Sequence, residues 1–174
     1  MRAIGFLVIL TIIISANGSR SAGIVMNVTL AASSANRASQ PSELAFIINK
    51  SNPNDNISLA ELKEYFLAER SSWSRGGAKV RVVMREPGPE REAVLNVIYR
   101  MNEKGFTSYF LAKKFTGEVV EGPRQQNSTP DVIKFISYVP GAIGYVRADE
   151  VDASVKVLRV GGLAPGEPGY MIKL

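Results

Sequence analysis

The stretch Leu44-Ala45-Phe46-Ile47-Ile48, inside the segment Glu43 to Asn49, decides the fold. Five apolar residues follow one another over a strand's length, and Asn49 to Asn56 then supplies turn chemistry. An unbroken run of this kind marks a strand covered on both faces, as in a sheet packed between helices.

Downstream, strand and helix patterns alternate. Ser58 and Glu61 have capping-box spacing ahead of Leu59, Leu62, Phe66 and Leu67, so a helix is expected from there to about Glu69. Trp73 lies in the loop Ser71 to Gly77 and is expected to pack beneath it. Lys79 to Met84 alternates Val80, Val82 and Met84 as a strand, with Arg85 at its end. Gly88-Pro89 marks the next helix start, with Ala93, Val94, Val97, Ile98 and Met101 at helical spacing. A short helix is expected from Ser108 to Phe115, capped by Thr107, with Phe106 and Leu111 as a hydrophobic staple and Gly117 as its stop.

Gly122 to Asn127 reads as a polar connection, and Ser128-Thr129-Pro130-Asp131 opens a helix with Val132, Ile133 and Ile136 inward. After Pro140-Gly141, Ile143 to Val146 reads as a buried strand, Asp149 to Ala153 as a loop and Val155 to Val160 as a last strand. The alternation specifies an α/β class: a mostly parallel or mixed sheet flanked by helices.

The ends of the chain are read separately. Residues 1–18 are expected to form a secretory signal peptide, with Arg2, the apolar run Phe6 to Ile14 and the small residues Ala16-Asn17-Gly18. That run is shorter than the roughly 20 residues of a membrane span, so no stable membrane insertion is expected after cleavage. Residues 19–42 carry an alternating strand pattern, Gly23 to Ala31, and a loop; residues 43–161 form the main domain; residues 162–174 form a Gly/Pro-rich tail with little regular structure.

Composition narrows the chemistry. The 174 residues are 45% hydrophobic and 21% charged, the balance of an ordinary globular domain. They include neither His nor Cys, which removes thiol nucleophiles, imidazole bases and the usual zinc ligands. No catalytic constellation, metal site or cofactor motif is present: Glu90 and Glu92, two apart on one helical turn, point in different directions. The net charge of +5 is dispersed along the chain, which does not suit a nucleic-acid partner.

Four stretches, in this order and at these distances, resemble the second lobe of the phosphate-type periplasmic substrate-binding proteins of ABC transporters. They are Leu44 to Pro53, Ile57 to Leu62 with Phe66 and Trp73 downstream, the Arg85 to Arg91 turn, and Pro140 to Val146. In that family the turn carries an arginine, a glycine and a run of hydroxyl donors at a helix start, and it grips phosphate. Helix-start amides and a guanidinium fork suit an oxyanion.

The resemblance implies a ligand site at Arg85, Gly88, Glu90 and Arg91, with Ser128 and Thr129 at a second helix start. Here Pro89 and Glu90 stand in place of the hydroxyl donors; the first lacks an amide hydrogen and the second adds negative charge. The implied function is an exported, periplasmic, non-enzymatic protein that binds a small oxyanion such as phosphate for an ABC permease. The alternative is a single-lobe module that has lost small-molecule binding and contacts another envelope protein.

Overall fold

The computed structural model describes residues 43–174, and the readings made above for residues 1–42 lie outside that range. Strands β1 (Leu44–Asn49), β3 (Arg81–Arg85), β4 (Arg124–Gln126), β5 (Ala142–Arg147) and β6 (Val155–Val157) form one sheet in the order β4-β3-β5-β1-β6. A separate parallel pair joins β2 (Asn56–Ile57) to β7 (Arg159–Val160). The helices are α1 (Leu59–Phe66), α2 (Pro89–Val94), α3 (Glu103–Phe115) and α4 (Thr129–Tyr138).

The sheet is mixed. β3 runs parallel to both β4 and β5, whereas β1 is inserted antiparallel between β5 and β6. All six residues of β1 are buried. Because side chains alternate across a strand, its two faces enter different cores. Leu44, Phe46 and Ile48 share a core with Phe66 of α1, Val94 of α2, Phe106 of α3 and, from the turn after α2, Leu95 and Tyr99, while Ala45 and Ile47 share one with Val132 and Ile136 of α4.

Two glycines permit the closest approaches. A Cβ at Gly141 would stand 2.0 Å from the Lys79 carbonyl oxygen, and one at Gly144 would stand 2.9 Å from Ile136 Cδ1, where α4 lies on the sheet. The Gly141 carbonyl also accepts from the Trp73 indole at 3.0 Å and from the Arg81 amide at 3.0 Å. Trp73 is therefore buried under its loop, 4.9 Å from the Tyr65 ring.

Several local expectations need correction. Ser58 accepts from the Glu61 amide at 3.0 Å, but Glu61 does not reach back; its carboxylate takes the Tyr65 hydroxyl at 2.6 Å instead. α1 stops at Phe66 because Ala68 turns left-handed, φ +54°. The chain after α2 widens into a π-helical turn, Leu95–Tyr99, which carries Tyr99 into the core in place of Met101. α3 begins at Glu103 because Asn102 caps it, accepting from Gly105 at 2.8 Å; Thr107 lies inside the helix and Leu111 faces solvent.

The polar stretch Gly122 to Asn127 contains β4, an edge strand that needs no hydrophobic alternation. The last expected strand divides. Val155–Val157 pairs with β1, whereas Arg159–Val160 changes partner to β2. The tail has little regular structure yet is fastened: the Leu44 amide donates to the Ile172 carbonyl at 3.0 Å and the Tyr170 hydroxyl to the Leu44 carbonyl at 2.7 Å.

The Gly141 contact makes a sharp prediction. Gly141→Ala forces the Lys79 backbone away and should destabilise the fold by about 3 kcal/mol or more, read as a lowered urea midpoint. An unchanged midpoint would show that the β5 entry relaxes freely.

Candidate functional site

The carboxyl ends of the parallel strands β3, β4 and β5 carry Arg85, Gln126 and Arg147. From that edge start α2, α4 and a short 3-10 turn, Ala148–Glu150. In open α/β sheets this is where ligands bind, since helix-start amides converge there.

Arg85 is the centre of the edge. Its guanidinium donates to the Thr129 hydroxyl at the start of α4, while its backbone amide donates to the Tyr145 hydroxyl at 3.3 Å. The guanidinium Nε is buried and without a hydrogen-bond partner. Thr129 in turn donates to the Glu150 carboxylate at 2.9 Å. Burial pushes the Tyr145 phenol well above its ordinary range, an effect the Arg85 amide only partly offsets, so the hydroxyl accepts in its neutral form.

Arg91 is brought close by another route. It is buried, and it clamps Glu103 with Nε at 2.5 Å and Nη2 at 3.0 Å while donating to the Arg85 carbonyl at 2.9 Å. The guanidinium lies 4.9 Å from the centre of the Phe106 ring. These bonds tie the start of α3 to the end of β3, and they turn the fork of Arg91 away from an external ligand.

Gly88 is the N-cap residue of α2, and Pro89 occupies the first helical position. Glu90 folds back over this start: its Oε2 lies 3.8 Å from where a Gly88 side chain would begin, and its Oε1 lies 3.9 Å from Arg147 Nη1. Arg147 Nε also lies 3.5 Å from the Asp149 carboxylate. Ser128 caps α4, accepting from the Asp131 amide at 3.2 Å and donating to the Asp131 carboxylate at 2.5 Å.

Arg85 and Thr129 are thus in direct contact, Glu90 and Gly88 share one helix start, Arg91 lies beneath Arg85, and Ser128 is occupied by capping. The residues that sequence reasoning missed are Arg147, Glu150, Tyr145 and Glu103. Arg147 is the one with a legible signal, since it ends a strand as Arg85 does; the others are reached through tertiary contacts. Chemically, a guanidinium, a hydroxyl and two helix starts converge as for an anion, and the carboxylates of Glu90 and Glu150 lie against those cations and donors. Beside this edge, a groove of about 240 Å³ is lined by Gln126, Asp131, Lys134, Phe135 and Tyr138. Among the described residues no group of three or more acidic side chains is arranged to hold a metal ion.

No family model matches the sequence. The fold, however, is similar to about half of several solved structures of transport proteins. It is similar to a protein from Clostridium perfringens described as a phosphate ABC transporter substrate-binding protein with bound phosphate, at a TM-score of 0.56 and 23% identity over 70% of this chain. It is also similar to an ABC-type phosphate transport receptor from Vibrio cholerae (TM-score 0.58, 21% identity over 71% of this chain) and to PstS from Borrelia burgdorferi (0.54, 19%, 71%). The match spans 46%, 48% and 49% of those chains respectively, about half of each.

The Arg91–Glu103 clamp generates the next prediction. Glu103→Ala leaves a buried guanidinium with its main partner gone and should cost about 2 kcal/mol in chemical denaturation. The double variant Arg91→Met, Glu103→Ala should recover part of that loss, and no recovery would assign the cost instead to losing a negative charge in the first turn of α3.

Proposed function

We propose that this chain is an exported, periplasmic, solute-binding-like protein whose sheet edge recognises phosphate or a similar small oxyanion in the service of an ABC permease. The observation that carries this reading is Arg85. Its guanidinium sits at the carboxyl end of a parallel strand, bonded to a hydroxyl at a helix start, and retains a buried nitrogen with no partner. An unsatisfied buried donor carries a cost of about 1 to 3 kcal/mol, which an oxyanion that reshapes the edge would relieve. The fold neighbours described as phosphate receptors support the same reading.

In this reading Arg85 and Thr129 supply donors and the starts of α2 and α4 supply amides. Glu150 accepts from the Thr129 hydroxyl, so an anion binds by displacing that carboxylate. Gly88 adds no side chain to this helix start, and an anion there binds by displacing Glu90 toward Arg147. Arg91 supports the site by holding the Arg85 carbonyl.

A second reading has its own support. Pro89 lacks an amide hydrogen, and Glu90 and Glu150 already answer the cations and hydroxyl, as they would in a lobe that had become a protein-interaction module of the envelope.

Calorimetric titration with phosphate and then sulfate separates the two. Saturable binding should be weakened at least tenfold by Arg85→Ala and strengthened several-fold by Glu150→Gln, which removes the competing charge. Absence of heat at millimolar anion in both the parent chain and Glu150→Gln would reject the anion receptor in favour of the interaction module.

A further inference from the structure

The groove beside the Arg85 edge adjoins it through both a strand and a helix. Gln126, which lines the groove, is the register partner of Arg85 on β4. Paired residues on adjacent strands project to one face of a sheet, here the face that α4 covers. Asp131, Lys134, Phe135 and Tyr138 recur at intervals of three or four and share one side of α4. Asp131 and Phe135 stand about 3 and 9 Å beyond Thr129 along the helix axis, and helical side chains lean back toward the helix start. Glu150 reaches Thr129 from the β5 side of Arg85, and the groove lies on the β4 side.

The groove has the chemistry to hold a neutral, hydroxylated ring. The Arg124 guanidinium lies 4.9 Å from the centre of the Phe135 ring and holds it beside β4, whereas the Tyr138 ring is 77% exposed. Asp131 accepts from the Ser128 hydroxyl through Oδ2, which leaves Oδ1 available. The Gln126 carboxamide, the Lys134 ammonium and the Tyr138 hydroxyl have no hydrogen bond or ion pair among the described residues. Asp131 and Lys134 balance in charge, so the groove favours no second anionic group. Sugar hydroxyls both donate and accept, and they match a carboxylate, an amide and an ammonium set around an aromatic face. Pockets for drug-sized ligands start near about 300 Å³, so a groove of about 240 Å³ suits one ring rather than a nucleoside.

The edge itself favours an ester over free phosphate. Free phosphate presents four oxygens to be satisfied, and a monoester presents three terminal ones and a bridge. The start of α2 lacks one amide donor at Pro89, and Glu90 lies against it. That shortage of donors weighs less on a ligand whose fourth oxygen leads away to a ring.

We propose that the ligand of this edge is a sugar phosphate, with its phosphoryl group on Arg85 and Thr129 and its ring on Tyr138, the hydroxyls meeting Asp131, Gln126 and Lys134. This assignment rests on the anion reading of Arg85 and adds a second contact region to it.

Calorimetric titration of the full chain compares glucose 6-phosphate with inorganic phosphate, glycerol 3-phosphate and glucose. Glucose 6-phosphate should bind about tenfold or more tightly than each of the other three. Tyr138→Ala should weaken glucose 6-phosphate about fivefold and leave phosphate unchanged, while Tyr138→Phe should keep most of the affinity. Tyr138 is exposed, so thermal melting of both variants should match the parent chain. Phosphate or glycerol 3-phosphate binding as tightly as glucose 6-phosphate would overturn the sugar assignment and leave Arg85 as an anion receptor. Indifference of glucose 6-phosphate to Tyr138→Ala would do the same. Absence of heat with every phosphate, in the parent chain and in Glu150→Gln, would overturn both readings together.

Discussion

The two-sided burial of β1 is the constraint on which the rest depends. A strand with all six residues buried needs a hydrogen-bonded neighbour on each edge and an apolar layer on each face. β5 and β6 supply the edges, α1, α2 and α3 one face, and α4 the other. Its ends are held as firmly as its middle. Leu44 exchanges bonds with Ile172 and Tyr170, and the Asn49 amide group donates to the Ile136 and Ser137 carbonyls at 2.8 Å each, closing the end of α4. The C-terminal tail, irregular as it is, thereby becomes part of the same core.

Because β1 runs antiparallel between its neighbours, the parallel strands β3, β4 and β5 are gathered on one side of the sheet with their carboxyl ends aligned. That alignment brings Arg85, Arg147, Thr129 and the α2 start to one edge. The edge is electrostatically self-contained: each cation or hydroxyl there has a carboxylate within reach, Glu90 for Arg147, Glu103 for Arg91 and Glu150 for Thr129. Arg85 is the exception. It bonds a neutral hydroxyl, its Nε is buried without a hydrogen-bond partner, and no carboxylate pairs with it among the described residues.

The elements legible in the sequence were those whose signals are local. The apolar run of β1, the Pro89 and Ser128 helix starts, the Gly117 stop and the Pro140-Gly141 break all lie where the residues place them, since each depends on a backbone preference or on periodicity over a few residues. β4 was missed because an edge strand made of Arg124, Gln125 and Gln126 owes its conformation to pairing with β3. The π-helical turn was missed because its reward, burial of Tyr99 against Phe66 and Phe106, lies in other elements.

For the site, the sequence by itself determined the chemistry available: no imidazole or thiol, an arginine ending a strand, and a helix start carrying Pro89, which has no amide hydrogen, and Glu90. The tertiary structure decided what each group does with its charge. Arg91 and Glu103, twelve residues apart, meet because α3 folds back beneath β3. Glu150 reaches Thr129, twenty-one residues away, because β5 returns alongside β3. Side-chain partners of this range follow from strand order and helix placement, and no local propensity encodes them; the residues name the possible donors and acceptors, and packing chooses the pairs.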